Sequence, residues 1–252
     1  MLEELWLIPL GIVAGLLGSI IGLGGGIIIV PVLTFFGFSP VMASSNSIFA
    51  VFSNAAASSI SYAKQQKIQY SIGLKLGLLS IPGTIIGAYL SSDITPSLFK
   101  ILFALILISA SIYIFSTRKI EPKIQNFSKL IMILAVGSSF LAGIISGLFG
   151  VGGGIIFVPL MVVMMGLSMK NAAPTSQFIL LFASFSALIT HSVLGHPDFY
   201  HVLLLSSGAF VGGLLGARLS IEIKENTLKI LISIVLIATA VKLFIDSLEV
   251  PF

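Results

Sequence analysis

Two ten-residue stretches of one chain read GLGGGIIIVP, residues 22–31, and GVGGGIIFVP, residues 150–159. Each lies inside an apolar stretch of more than 30 residues, about 5–38 and 129–165. A helix needs about 20 apolar residues to cross a bilayer, so both stretches are too long for one simple span. Each interior glycine weakens a helix by roughly 1 kcal/mol, and Pro31 and Pro159 follow closely. Main chain without regular helix is tolerated at membrane depth only where protein buries it or a cavity solvates it. The pattern therefore predicts two broken helices inside a membrane protein.

The rest of the chain agrees with lipid as the solvent. Of 252 residues 57% are apolar and 9% charged, against roughly 25% charged in a soluble domain. Besides the two long stretches there are six shorter ones, about 42–63, 70–91, 97–116, 172–193, 199–220 and 226–246. The fold class is an all-α polytopic membrane protein. Glu3 and Glu4 replace the basic flank of a signal peptide, so none is expected. The absence of cysteine excludes disulfides, thiolate metal sites and cysteine nucleophiles. The +4 net charge comes from membrane-flanking Lys and Arg, and no basic block interleaved with aromatics points to nucleic acid.

The glycine run belongs to a longer repeat. Residues 14–33 align with 142–161 at 10 of 20 identities, offset 128, and 83–115 with 212–244 at 12 of 33, offset 129. This gives two repeats of four segments, 1–116 and 129–252, joined by a polar linker, 117–128. Lys and Arg favour cytoplasmic loops. If each long segment crosses fully, the halves are parallel and the thirteen cations divide 8 to 5. If each enters and returns on one side, the halves are inverted and the division is 11 to 2. The re-entrant, inverted arrangement is favoured, with the linker cytoplasmic and both termini outside.

Soluble glycine motifs fail here. Ile27 stands where a dinucleotide fingerprint needs glycine, and no Lys follows either run as a phosphate loop requires. Two readings remain for Gly24, Gly25, Gly26, Gly152, Gly153 and Gly154. They allow close helix packing, or they let a helix restart with unpaired N–H groups that hold an anion. Three glycines in succession favour the second, while Gly83/Gly87 and Gly212/Gly216 fit the first. All nine acids lie at segment ends or in loops, which argues against a cation pathway built on carboxylates.

Polar residues recur at matched places after each break. Asn46 and Ser47 stand opposite Thr175 and Ser176, and Gln177 follows. They read either as helix N-caps or as caps that also face a substrate. Lys75 and Arg218 lie near segment ends, either snorkelling or drawing anions to a vestibule. His191, His196 and His201 are expected in a solvated loop, with His191 a candidate proton handle or vestibule group. No metal site and no cofactor are expected.

The stretches AGLLGSIIGLGGGIIIVPVL and AGIISGLFGVGGGIIFVPLM, with the paired GAYLS and GARLS, resemble the sulfite exporter TauE/SafE family of membrane permeases. The resemblance covers nearly the whole chain. It implies a plasma-membrane transporter of a bacterium or archaeon that exports sulfite, organosulfonates or related sulfur-containing anions. The family often has Gly-Thr-Ser at Thr175–Ser176; here Pro174 precedes, and the first half has Ser45-Asn46-Ser47.

The expectation is a secondary transporter, not an enzyme, working by alternating access as one repeat rocks against the other. Its partners would be a small anion, the bilayer and a second copy in a homodimer. A passive anion channel of the same fold and a permease for another small organic anion are the alternatives.

Overall fold

The structure, a computed structural model, describes residues 4–116, 129–220 and 225–248. The expected linker at 117–128 lies outside the described residues. The chain runs α1 (Leu7–Ile21), α2 (Gly26–Phe35), α3 (Pro40–Lys64), α4 (Tyr70–Leu90), α5 (Pro96–Ser116), α6 (Lys129–Phe149), α7 (Gly154–Pro159), α8 (Met169–Val193), α9 (Phe199–Leu219) and α10 (Glu225–Leu248). A π turn, Leu160–Met164, extends α7. Every expected segment is present, and the two long ones are the broken pairs α1–α2 and α6–α7.

The breaks are built by backbone that only glycine adopts cheaply. Gly22 ends α1 at φ 84°, its N–H donating to Gly18 O and Ser19 O. Gly24 and Gly25 follow at φ 83° and 86°, and Gly150, Gly152 and Gly153 repeat the pattern at 67°, 80° and 80°. A side chain costs about 1–2 kcal/mol at each such position. Beyond the first break, Trp6 before α1 and Phe36 after α2 bring their rings to 4.4 Å between centroids. The two ends of this broken segment therefore lie together.

The halves interlock. α1 packs on α9, and α6 on α4. A Cβ at Gly212 would lie 2.2 Å from Ile12 O, and one at Gly87 would lie 2.1 Å from Ile144 O. These glycines are the close-packing sites expected from sequence. α3 and α8 cross at the centre, α3 also against α9 and α8 against α4, while α5 pairs with α10.

Polarity is distributed as lipid demands. Asn46, Ser47, Asn54, Ser58, Ser176 and Gln177 are buried, whereas Leu74, Leu78, Ile85, Leu203 and Phe210 are exposed. α4, α8 and α9 are each long and apolar enough to cross a membrane. The two ends of the bundle differ in charge. At one, His201 meets Glu4 and Asp198, each at 3.1 Å. At the other, Gln65 Nε2 donates to Ala217 O at 3.0 Å. There, partial burial and then the charge of Lys170 hold the Lys67 ammonium below its ordinary range.

Candidate functional site at the paired breaks

The two breaks pack directly on each other. A Cβ on Gly26 would lie 2.4 Å from Gly150 O, and one on Gly154 would lie 2.5 Å from Gly22 O. Regular bonding resumes when Ile28 and Ile29 donate to Gly25 O, and Ile156 and Phe157 to Gly153 O. The amides of Gly26 and Ile27 thus precede the first bond inside α2, at the positive end of that helix.

Side chains from α3 and α8 hold this centre by matched bonds. Ser47 donates to Gly150 O at 2.8 Å, and Ser176 to Gly22 O at 2.6 Å. One position earlier, Asn46 Oδ1 accepts from the Asp198 N–H that opens α9, at 2.9 Å. Thr175 Oγ1 accepts from the Gln69 N–H that opens α4, at 3.0 Å. Towards the other ends of α3 and α8, Tyr62 donates to Ser19 O at 2.9 Å, and His191 Nε2 bonds Gly147 O at 2.8 Å. All the paired positions are 128 or 129 apart, the offset of the repeat.

Three side chains break the match. Gln177 Nε2 donates to Gly18 O at 2.8 Å, and its Oε1 accepts from Ser58 at 3.2 Å. Asn54, one turn from Ser58, is wholly buried, and neither of its amide atoms has a hydrogen-bond partner. Asn46 Nδ2 is likewise buried and unpartnered. A buried amide left unsatisfied costs about 1–3 kcal/mol, so groups of this kind in a folded protein call for an explanation.

The structure brings Gly24, Gly25, Gly26, Gly152, Gly153, Gly154, Ser47, Ser176 and Gln177 together, with Asn46 and Thr175 beside them. Lys75 and Arg218 instead lie on exposed faces of α4 and α9. The N-cap reading of Asn46–Ser47 and Thr175–Ser176 is corrected: α3 and α8 begin earlier, with Ser39 and Ser168 at their N-cap positions. The second-turn residues are free to reach other chain segments.

The solvated-loop reading of the histidines is also corrected. His191 is buried in the last turn of α8, and His201 in the first turn of α9. Asn54, Ser58 and Tyr62 escaped the sequence reading, although their four-residue spacing marks one stripe of α3. Two cavities of about 400 and 300 Å³ flank the broken segments. Their linings are mostly apolar, with Ser109 and Ser138 in one and Thr239 and Lys242 in the other, and lie towards α5 and α10.

A helical bundle with polar groups inside, apolar faces outside and helices broken at its centre is a multi-pass membrane protein of the transporter class. Residues 7–243 match the family described as sulfite exporter TauE/SafE, and the chain belongs to that family. It is 30% identical to a probable membrane transporter protein of Bacillus subtilis, over 96% of this chain and 97% of that one. A probable membrane transporter protein of Methanocaldococcus jannaschii is 28% identical, over 93% and 94%. No solved structure matches the chain.

Proposed function

We propose that this membrane transporter carries a small sulfur-containing anion, sulfite, sulfoacetate or a related organosulfonate, outward across the plasma membrane of a bacterium or archaeon. The observation that carries the reading is the direct packing of the two breaks, with α2 opening at Gly26 against the Gly150 carbonyl and the Ser47 hydroxyl. Main-chain donors at a helix start and neutral amides hold an oxyanion without neutralising it, which leaves release possible. The family's description as sulfite exporter supports the substrate class and the direction.

The two halves are read as inverted repeats with re-entrant first segments. Support comes from the Trp6–Phe36 contact, which joins the ends of the first broken segment. Further support comes from the Gln65–Ala217 and Gln69–Thr175 bonds. They gather at one end the loops near Lys67, Lys170 and Arg218 that parallel halves would send to opposite sides. The linker is then cytoplasmic and the termini outside.

Rocking of one sequence half against the other fits this packing poorly, since α1 is seated on α9 and α6 on α4. The moving bodies are instead α1, α3 and α9 on one side, and α4, α6 and α8 on the other. They part along the α3–α8 crossing to expose the breaks alternately.

The test is thermal shift and proteoliposome flux with sulfite, sulfoacetate, taurine, thiosulfate, sulfate and chloride. Stabilisation by the sulfur anions, with saturable flux and counterflow, is expected. Electrodiffusive current without saturation would identify a channel, and equal response to chloride alone would reject the substrate class.

A further inference from the structure

His191, His196 and Ser92 form a hydrogen-bonded chain whose direction is fixed by its last member. His191 Nε2 lies 2.8 Å from Gly147 O, His191 Nδ1 lies 2.9 Å from His196 Nδ1, and His196 Nε2 lies 3.2 Å from Ser92 Oγ. A carbonyl oxygen only accepts, so His191 carries its proton on Nε2 and accepts at Nδ1. His196 must then donate from Nδ1 and accept at Nε2 from the Ser92 hydroxyl. Donation therefore runs one way, from the exposed Ser92 to the wholly buried His191 and on to the backbone three residues before Gly150.

The pair is electrically isolated. From α8, α9 and the α4–α5 turn the ionisable neighbours in sequence are Asp198, Tyr200, His201 and Asp93. Asp198 is committed to His201 and to the Tyr200 N–H, and Asp93 makes no ion pair with either ring among the described residues. α6 carries no titratable residue over 133–149, and α3 none over 40–61. Burial alone holds the His196 imidazole below its ordinary range. Tyr62 makes the equivalent bond to Ser19 O on the other side, so tying down the turn before a break needs only a donor. The second half uses a titratable ring and a second ring linking it to the surface.

We propose that His191 and His196 form a proton-binding site, and that the chain takes up one proton with each anion it binds. A proton arriving at His196 Nε2 releases the Nδ1 proton to His191 Nδ1. His196 is left neutral with its proton on Nε2, Ser92 turns from donor to acceptor, and His191 becomes an imidazolium protonated on both nitrogens. Among the described residues no carboxylate pairs with that buried cation. An anion seated where the two breaks pack together is its counter-charge, so proton and anion favour each other's binding. The inference rests on the anion reading given above.

The experiment uses the purified full chain and isethionate, whose sulfonate stays ionised throughout. Binding is followed calorimetrically from pH 5.5 to 8 in two buffers of different ionisation heat. The expected result is uptake of about one proton per anion at the alkaline end, with Kd rising by up to tenfold per pH unit. His191→Tyr keeps a donor for Gly147 O and cannot carry the proton; His196→Gln leaves His191 in place and cuts its link to the surface. Both variants are expected to bind with a flat pH profile and little proton uptake, and His196→Gln decides alone should the tyrosine be too large to fold. Wild-type binding without proton uptake, or uptake retained in the variants, overturns the proton site and leaves the anion site standing. Failure of the wild type to bind isethionate, sulfite or sulfoacetate at any pH overturns the anion reading itself.

Discussion

Around the first break, Gln177 donates to the Gly18 carbonyl, Ser58 bonds Gln177, and Asn54 lies one turn before Ser58 on α3, against Gly213 of α9. Around the second, the positions 129 away are Ile48, Ala187 and Ala183, all wholly buried. The serine and main-chain bonds that hold the two breaks are nearly interchangeable; the side chains lining them are not. The scaffold of the breaks and their lining are thus separable here. The matched bonds of Ser47 and Ser176 keep two weak points of the main chain in register, and on the proposed reading the unmatched amides give the anion one orientation. Ser146, one turn before the second break, keeps a buried hydroxyl without a partner among the described residues.

The severest way to break this comparison strikes what the breaks share. Gly26→Ala and Gly154→Ala each put a methyl within about 2.5 Å of the opposite backbone and force the breaks apart. Flux in proteoliposomes should fall at least about 100-fold in both, with stability lowered by roughly 1–3 kcal/mol. Unchanged flux in either folded variant would remove the contact between breaks from the mechanism.

Gln177→Ala against Ile48→Ala sharpens it next. The first should weaken anion binding by about 10- to 100-fold, the loss of roughly 1.5–3 kcal/mol that a hydrogen bond to a charged partner supplies. The second should cost roughly 2–5 kcal/mol of stability and leave affinity within about twofold. Equal losses of affinity, read by the same calorimetric titration, would mean that the lining asymmetry has nothing to do with the substrate.

Asn54→Ala separates function from folding. Its amide makes no bond in this conformation, so unfolding should show stability unchanged or raised by up to about 1 kcal/mol. Affinity for the anion should fall about tenfold. A variant both less stable and unaltered in affinity would make Asn54 a packing residue.

Much of this was legible in advance. Segment lengths, the breaks at Gly22–Gly25 and Gly150–Gly153, and the close-packed Gly87 and Gly212 follow from hydropathy and local backbone preference, which a sequence displays directly. The partners of the polar residues do not. Asn46 and Thr175 look like caps because Asn and Thr so often are; their second-turn position, seven residues past Ser39 or Ser168, turns them towards helices more than a hundred positions away. His191 reads as a loop residue because Gly195 and Pro197 follow it, yet α8 continues to Val193 and buries it against α6. Asn54, Ser58 and Tyr62 did carry a signal, a four-residue polar spacing within a span. That spacing alone could not say that Gln177 would meet it across the α3–α8 crossing.

The smallest effect tests the shared scaffold. Ser47 and Ser176 each give one buried hydroxyl to a carbonyl of the opposite break, at 2.8 and 2.6 Å. Replacing either by alanine removes the donor and leaves that carbonyl unsatisfied, which should cost about 1–2 kcal/mol. Two equivalent bonds predict equal losses in thermal unfolding. Both serines tie the same pair of breaks, so the double variant should depart from the sum of the singles by at least about 0.5 kcal/mol. A loss confined to Ser176→Ala would show that the first break, the one with the polar lining, depends on its tie while the second stands without it.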